Sequence, residues 1–591
     1  MGPRASVKSA RLAMTAATPL SRRDCLLRLG AVPWLAGLGT GLAGCEKSGI
    51  SDMPENLGGG WVGARHDAAH AWRDGKLPEH ATGVARSTHT LVIGAGVAGL
   101  SAARHLIDAG LDDLIVLDLE AQPGGNARGH DIGGMPCPLG AHYLPLPGPE
   151  ASEVARWLEA IGLIRHEHGR WVGDERYLCH SAQERLFVPD GGLSALAPRG
   201  FWASGQWQDG VVPQVGLQAS DEAEYRRFSE RITRMQVDLG FAMPTWRRAW
   251  SAGLEALDRI SFAQWLNQEG FSSAPLLWLL DYACRDDFGA GLARVSAWAG
   301  IHYFASRHGF EWPAQAESHD PVLTWPQGNG WLTQKLAQGL GDRWQPEQLA
   351  VSVEEGRHAV TVRVWDGRLR QMRQWSAKQV VLAVPLFVAR RLLRRGHAAL
   401  DALVPHMQYA PWLVSNVLLK EGLRDRSGVA RAWDNVAFTH AGSEPVSVPS
   451  LGYVDARHQS LSQVSGPMLW THYWALGGHS AKQGQALREL LLRRPWADWA
   501  RWVLMDLARV HPDLPGLVER VDLMRYGHAM SIPVPGVRSH PGLAALQKHQ
   551  GRLLFAHADL SAYSVFEEAF THGARAAAQV LASAGIRRSI N

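Results

Sequence analysis

A chain of 591 residues is too long for one ordinary hydrophobic core, so two intimately packed domains are expected. With 46% apolar and 20% charged residues it has a folded, globular composition, which excludes a disordered or fibrous chain. The formal charge of +4 arises in the first 44 residues, which hold six basic side chains against Asp24; the other 54 basic and 55 acidic residues nearly cancel, leaving no electrostatic case for nucleic-acid binding.

Residues 1–45 read as an export address. A basic stretch ends in Ser21-Arg22-Arg23-Asp24-Cys25-Leu26-Leu27, which resembles the twin-arginine signal, with Cys25 where Phe is usual. Leu29 to Ala43 is uncharged and only moderately apolar, typical of that route and poor for a permanent span. Leu42-Ala43-Gly44-Cys45 resembles a lipoprotein processing box, making Cys45 the expected lipidation site. Several acyl chains there, at about 0.8 kcal/mol per buried methylene, anchor a protein stably to a membrane. The expected location is the periplasmic side of the cell envelope. Residues 46–87, with Gly58-Gly59-Gly60, read as a tether. Of the later thiols, Cys137, Cys179 and Cys284 are odd in number and lack metal-ligand spacing, so they read as structural and no metal is expected.

At Thr90 the pattern becomes strand, turn, helix. Leu91-Val92-Ile93 runs into Gly94-Ala95-Gly96-Val97-Ala98-Gly99, and Leu100, Ala103 and Leu106 then share one helix face. In such a Gly-x-Gly-x-x-Gly turn Gly94 makes the bend, Gly96 admits a pyrophosphate to the backbone, and Gly99 lets helix and strand pack closely, with the helix N-terminus facing the phosphates. A second strand, Leu114 to Leu117, ends at Asp118, placed to accept hydrogen bonds from ribose hydroxyls. Residues 150–320 then read as mostly helical. Strand patterns return in 322–395, notably Ala359 to Val364 and Val380 to Val384, and again in 405–480. A helix is expected over 481–510, and a strand, loop and helix over Leu553 to Ile586.

The fingerprint does not distinguish NAD from FAD; the segments after it do. Gly124-Gly125-Asn126 resembles the Gly-Gly-Arg element of the flavin amine oxidase superfamily, with Asn126 for Arg and Arg128 as a substitute phosphate contact. Leu139-Gly140-Ala141-His142-Tyr143 is similar to its strand leading toward the flavin, and Trp325-Pro326-Gln327-Gly328-Asn329-Gly330-Trp331-Leu332 to its Pro-x-Gly-Gly segment. Arg552 to Asp559, with Phe566-Glu567-Glu568-Ala569 and Gly573 to Ala577, resembles its closing motif. His557 stands there in place of Gly.

The resemblance spans residues 88–585 and implies an α/β fold. A Rossmann-type FAD-binding domain would be built from residues 88–150, 321–400 and 536–591, with an α+β substrate domain from 151–320 and 401–535. It implies non-covalent FAD, with adenine on the backbone of Ala350 or Val351, Asp559 at the ribityl chain and Ala569 at a helix end facing the flavin.

The resemblance also places His142, His528 and Phe566 near the isoalloxazine, and a lysine near Val414-Ser415-Asn416, where this chain offers only Asn416. The aromatic cage positions fall on Ala529 and Val565. Tyr143, Tyr303, Tyr453, Tyr473, Tyr526 and Tyr563 are further candidates for the substrate wall. The expectation is hydride abstraction from the C–N bond of an amine or polyamine-like small molecule. Electrons would pass to a quinone or protein acceptor more readily than to oxygen. Two alternatives stay open: a desaturase or isomerase of an apolar membrane-dissolved substrate, and a non-catalytic FAD-binding protein.

Overall fold

Leu91, Val92 and Ile93 are buried on both faces, as a central parallel strand requires. The computed structural model describes residues 56–78, 84–179, 184–190, 205–312, 322–423, 428–429, 432–439, 445–456 and 466–586, all within one compact unit. The export address and Cys45 lie outside the described residues.

The strand Arg86–Ile93 lies between Leu114–Leu117 and Gln371–Leu382, parallel to both, with Val92 opposite Val116 and Val381. Trp344–Gln345 extends this sheet beyond Leu114–Leu117, and Leu553–Phe555 pairs with the end of Gln371–Leu382, also in parallel. The start of Gln371–Leu382 pairs instead with an antiparallel meander, Val360–Asp366 and Gln348–Glu355, which completes seven strands. The helix Val97–Asp108 packs on the helix Phe566–Ser583. There Gly573 brings the backbones so close that a Cβ would stand 2.2 Å from the Ala98 carbonyl oxygen, and Ser101 donates to the Phe570 carbonyl at 2.7 Å.

A second sheet has eight strands in the order Gly58–Trp61, Val518–Ile532, Gln408–Leu419, Met468–Ala475, Tyr453–Asp455, Asp434–Ala437, Glu184–Pro189, Gly205–Asp209. Its members come from four separate stretches of chain. Two of them, Glu184–Pro189 and Gly205–Asp209, fall in the region expected to be mostly helical.

The helix expected over 481–510 is two helices, Ala481–Arg493 and Trp496–Ala508, interrupted at Pro495, which cannot donate a backbone hydrogen bond. The expected tether is partly built into the fold. Gly58–Trp61 is an edge strand parallel to Val518–Ile532, and His66–Arg73 is a helix. The Gly run is there for close approach: at Gly59, φ +125°, a Cβ would lie 1.9 Å from the Val521 carbonyl oxygen.

Candidate active site

The nucleotide fingerprint and the second sheet meet in one cavity of about 430 Å3. Gly94, Gly96, Asp118, Gly124, Gly125 and Asn126 line it from the first sheet. Gly94 takes φ +103°, where a Cβ would strike the Ala383 carbonyl oxygen at 2.4 Å. Gly99 does not reach the cavity; its missing Cβ would lie 1.8 Å from the Gly94 carbonyl oxygen, so its service is helix–strand packing. Gly96 differs. A Cβ there would find only the Gly125 Cα, at 3.9 Å, and would otherwise project into the cavity. The helix that begins at Val97 has no side-chain cap, so its positive end is offered to whatever enters.

Asp118 accepts from the backbone N–H of Ala95 at 2.6 Å and of Glu120 at 2.8 Å. Burial outweighs these hydrogen bonds and pushes its carboxyl up to about 6. Asp559 is also in the wall, and the strand Leu553–Phe555 delivers it. Its Oδ2 accepts from Tyr409 Oη at 2.6 Å and the Leu386 N–H at 2.9 Å, whereas its buried Oδ1 has no hydrogen-bond partner. His557, the residue without a counterpart in the resemblance, accepts from the Asp559 N–H at 3.1 Å and lies 3.3 Å from Oδ1, so it holds this turn in place.

Among the remaining expected residues, His142, Tyr143, Tyr473, Tyr526, His528, Phe566 and Ala569 line the cavity. Tyr473 stacks on His142 with ring centres 5.2 Å apart and donates to the Gly140 carbonyl at 3.0 Å. Trp433 meets His142 edge-on at 5.2 Å. Burial pushes the His142 imidazole down to about 3, so it is neutral across the working range. The enclosing wall, with Arg488 and His70 nearby, pushes His528 down to about 4, and it too carries no charge at neutral pH. Phe566 opens the helix Phe566–Ser583 and stacks on Trp157.

Other expectations are corrected. Asn416 is fully buried and spent on structure: its Nδ2 donates to the Pro138 carbonyl at 2.9 Å and its Oδ1 accepts from Thr471 at 2.8 Å. Arg128 turns away from the cavity, donating to the carbonyls of Gly125 and Gly63 and pairing with Glu120 at 3.2 Å, so it gives no phosphate contact. Asn126 keeps its place in the cavity wall, with its side-chain amide donating to the Ala529 carbonyl. Neither Ala350 nor Val351 lines the cavity, and the Val351 carbonyl accepts from the Trp72 indole at 3.0 Å. Tyr303, Tyr453 and Tyr563 are outside it; Tyr453 stacks on Trp470 with ring centres 4.0 Å apart, and Tyr563 donates to Asp287.

The charged residues that sequence reading missed are acidic. Asp286 and Asp287, in the helix Ala274–Phe288, and Asp434, opening the strand Asp434–Ala437, all line the cavity. Burial, with Glu184 and Asp286 close by, pushes Asp434 well above the usual carboxylate range, and burial holds Glu184 at about 7. The one available signal was the pair Asp286-Asp287 ending a helix that is otherwise apolar on most faces.

The cradle fits FAD: an open face at Gly96, an uncapped helix end, an acid at the ribose position and a second buried acid, Asp559, in the wall. Residues 97–581 match the family described as flavin containing amine oxidoreductase. The protein anon-37Cs of Drosophila melanogaster is 35% identical over 79 residues, 13% of this chain and 16% of that protein. That of Drosophila lebanonensis is 42% identical over 59 residues, 10% and 11% of the two chains. The matches therefore span well under a fifth of these relatives' length.

Among solved structures, a redesigned putrescine oxidase superposes with a TM-score of 0.61 at 15% identity, covering 84% of this chain and 100% of that one. Cyclohexylamine oxidase from Brevibacterium oxydans gives 0.59 at 15%, covering 84% and 99%. A CLA-producing fatty acid isomerase from P. acnes gives 0.55 at 14%, covering 83% and 98%. At such identities these structures share the fold. The match over residues 97–581 goes further, and the chain belongs to the flavin-containing amine oxidoreductases, a family of FAD-dependent oxidoreductases.

Proposed function

We propose that this protein oxidises the C–N bond of an amine or polyamine-like cation. The observation that carries the reading is the presence of Asp286, Asp287 and Asp434 in the same cavity as the nucleotide fingerprint. Carboxyl groups crowded together in a buried site hold protons they would lose in water, and an ammonium group entering among them favours their ionised form and pairs with it. The faces of Tyr473 and Tyr143 add cation–π attraction, and a neutral His142 can accept a hydrogen bond from the substrate nitrogen without repelling it. FAD supplies the two-electron acceptor when bound. The chain's own residues bind the cation, orient it and keep water out.

An apolar substrate would gain nothing from these carboxyl groups, whereas an ammonium can engage them through charge-assisted hydrogen bonds. That weighs against the desaturase or isomerase alternative. Among the described residues lining the cavity there is no lysine or arginine, which favours a quinone or protein acceptor over rapid reaction with oxygen.

The domain division at residues 88–150, 321–400 and 536–591 against 151–320 and 401–535 belongs to the same proposal. It is supported by the way the strands of the two sheets are drawn from these segments. So do twin-arginine export and a lipid anchor on Cys45, which rest on the sequence of residues 1–45.

Asp434→Asn tests the substrate reading. The variant should keep its flavin, and the KM for the amine should rise at least about tenfold, the loss of one charge-assisted contact worth about 1.4 kcal/mol. An unchanged KM would remove the support.

A further inference from the structure

We propose that residues 61–73 form a cofactor-holding strap across the adenosine end of the dinucleotide site, an inference that rests on FAD occupying the cleft. In a Rossmann-type unit the acid after the second strand holds the adenosine ribose, so the adenosine half lies over the loops that follow that strand and its neighbour. Here those loops are Asp118–Glu120 and Gln345–Gln348, laced together by backbone hydrogen bonds: Gln348 N–H to the Asp118 carbonyl at 2.7 Å and Glu347 N–H to the Glu120 carbonyl at 3.2 Å.

The strap is fastened to these loops. The Arg65 N–H donates to Glu120 Oε1 at 3.1 Å, and the Arg65 guanidinium pairs with Glu347. Gly63 offers its carbonyl to Arg128 at 2.6 Å. At the far end, Trp72 Nε1 donates to the Val351 carbonyl at 3.0 Å. The ladder between Gln348–Glu355 and Val360–Asp366 slips at that point, between Ala350 and Ser352, which frees the carbonyl for an outside donor. Trp61 and Trp72 lie under the guanidinium groups of Arg525, at 4.4 Å, and Arg391, at 5.2 Å.

The same segment is built to come away. No residue of the helix His66–Arg73 is buried, and a cavity of about 350 Å3 bordered by Arg65, Glu120, Gln122 and Arg128 lies under its start. Its apolar contacts come from Trp61, Val62, Ala64 and Trp72, each only partly buried, and an element so held at the surface opens at lower cost than the core. Release of FAD then requires the strap to undock, and bound FAD in turn holds the strap down.

The test uses holoprotein. Trp72→Phe combined with Arg65→Ala should release FAD at least about tenfold faster than wild type, read as the rise of free-flavin fluorescence on dilution, with the bound flavin's visible spectrum unchanged. A release rate within about twofold of wild type overturns the proposal. In wild-type protein, cleavage by trypsin after Arg65 and Arg73 should be at least about tenfold slower with FAD bound than without it, and equal cutting also overturns the proposal. If the double variant fails to fold, as read by circular dichroism of the apoprotein, the wild-type proteolysis decides. Wild-type protein that binds no FAD refutes the cofactor reading itself, a result distinct from either outcome for the strap.

Discussion

Two glycines three residues apart in the fingerprint should fail in opposite ways when substituted. Gly96 has φ −72° and ψ −179°, a conformation open to any L-residue, and a Cβ there meets only the Gly125 Cα at 3.9 Å. Gly96→Val should therefore change the stability of the apoprotein by no more than about 0.5 kcal/mol. Its isopropyl group, however, fills the space through which the pyrophosphate must approach the backbone, and the purified protein should be colourless. Gly99→Ala places a methyl 1.8 Å from the Gly94 carbonyl oxygen, so the helix Val97–Asp108 must lift by roughly 1 Å, an overpacking that costs about 1–3 kcal/mol. Helix propensity alone would make the same change stabilising by about 1 kcal/mol, so a net loss identifies the contact. Thermal unfolding of both apoproteins, with the flavin absorbance of each as purified, reads the two effects separately. A yellow Gly96→Val protein with one FAD per chain, or an apoprotein as destabilised as Gly99→Ala, would refute the reasoning.

The Asp118 carboxyl, raised from its ordinary 3.8 to about 6 in the folded chain, makes two pH predictions. Because the folded state binds this proton more tightly than the unfolded state, the stabilising difference is present at low pH; apoprotein stability should fall as pH rises from about 4 to about 6, by at most about 3 kcal/mol, and Asp118→Asn should flatten that slope. FAD affinity, which needs the ionised acceptor for the ribose hydroxyls, should weaken as pH falls below about 6, again only when Asp118 is present. Photoreduced protein mixed with aerated buffer should reoxidise over many seconds and be reoxidised rapidly by a soluble quinone; reoxidation within milliseconds would contradict an acceptor other than oxygen. Replacing Arg22 and Arg23 together with lysine should leave the protein in the cytoplasm, and Cys45→Ala should abolish acylation; a wild-type mass with Met1 attached and Cys45 unmodified would contradict the lipoprotein reading.

The nucleotide half was legible because its signals are local. A buried strand, three glycines at fixed spacing and an acid at the end of the next strand each have a physical reason to stand where they do, and Asp118, Gly96 and Asp559 all face the cavity. The substrate half was not, because its chemistry is assembled from distant segments: Asp286 and Asp434 are 148 positions apart and come together only when the helix Ala274–Phe288 packs against the second sheet. Short strands such as Glu184–Pro189 are stabilised by partners far along the chain and leave little periodic trace. The Gly58-Gly59-Gly60 run shows the opposite error, a composition that suggests flexibility where the backbone needs glycine to lie against Val521. Pro495 was read through as part of one helix, although its missing N–H breaks it.

The central claim is that one cavity holds FAD and an amine cation together. Anaerobic mixing of the holoprotein with a panel of monoamines, diamines, polyamines and unsaturated fatty acids tests it most directly, with the visible absorbance of the flavin as readout. The account predicts bleaching by cationic amines, slowed in Asp434→Asn protein that carries its full FAD, and none by the fatty acids. Flavin that stays oxidised with every amine, or bleaches only with the lipophilic compounds, would contradict it.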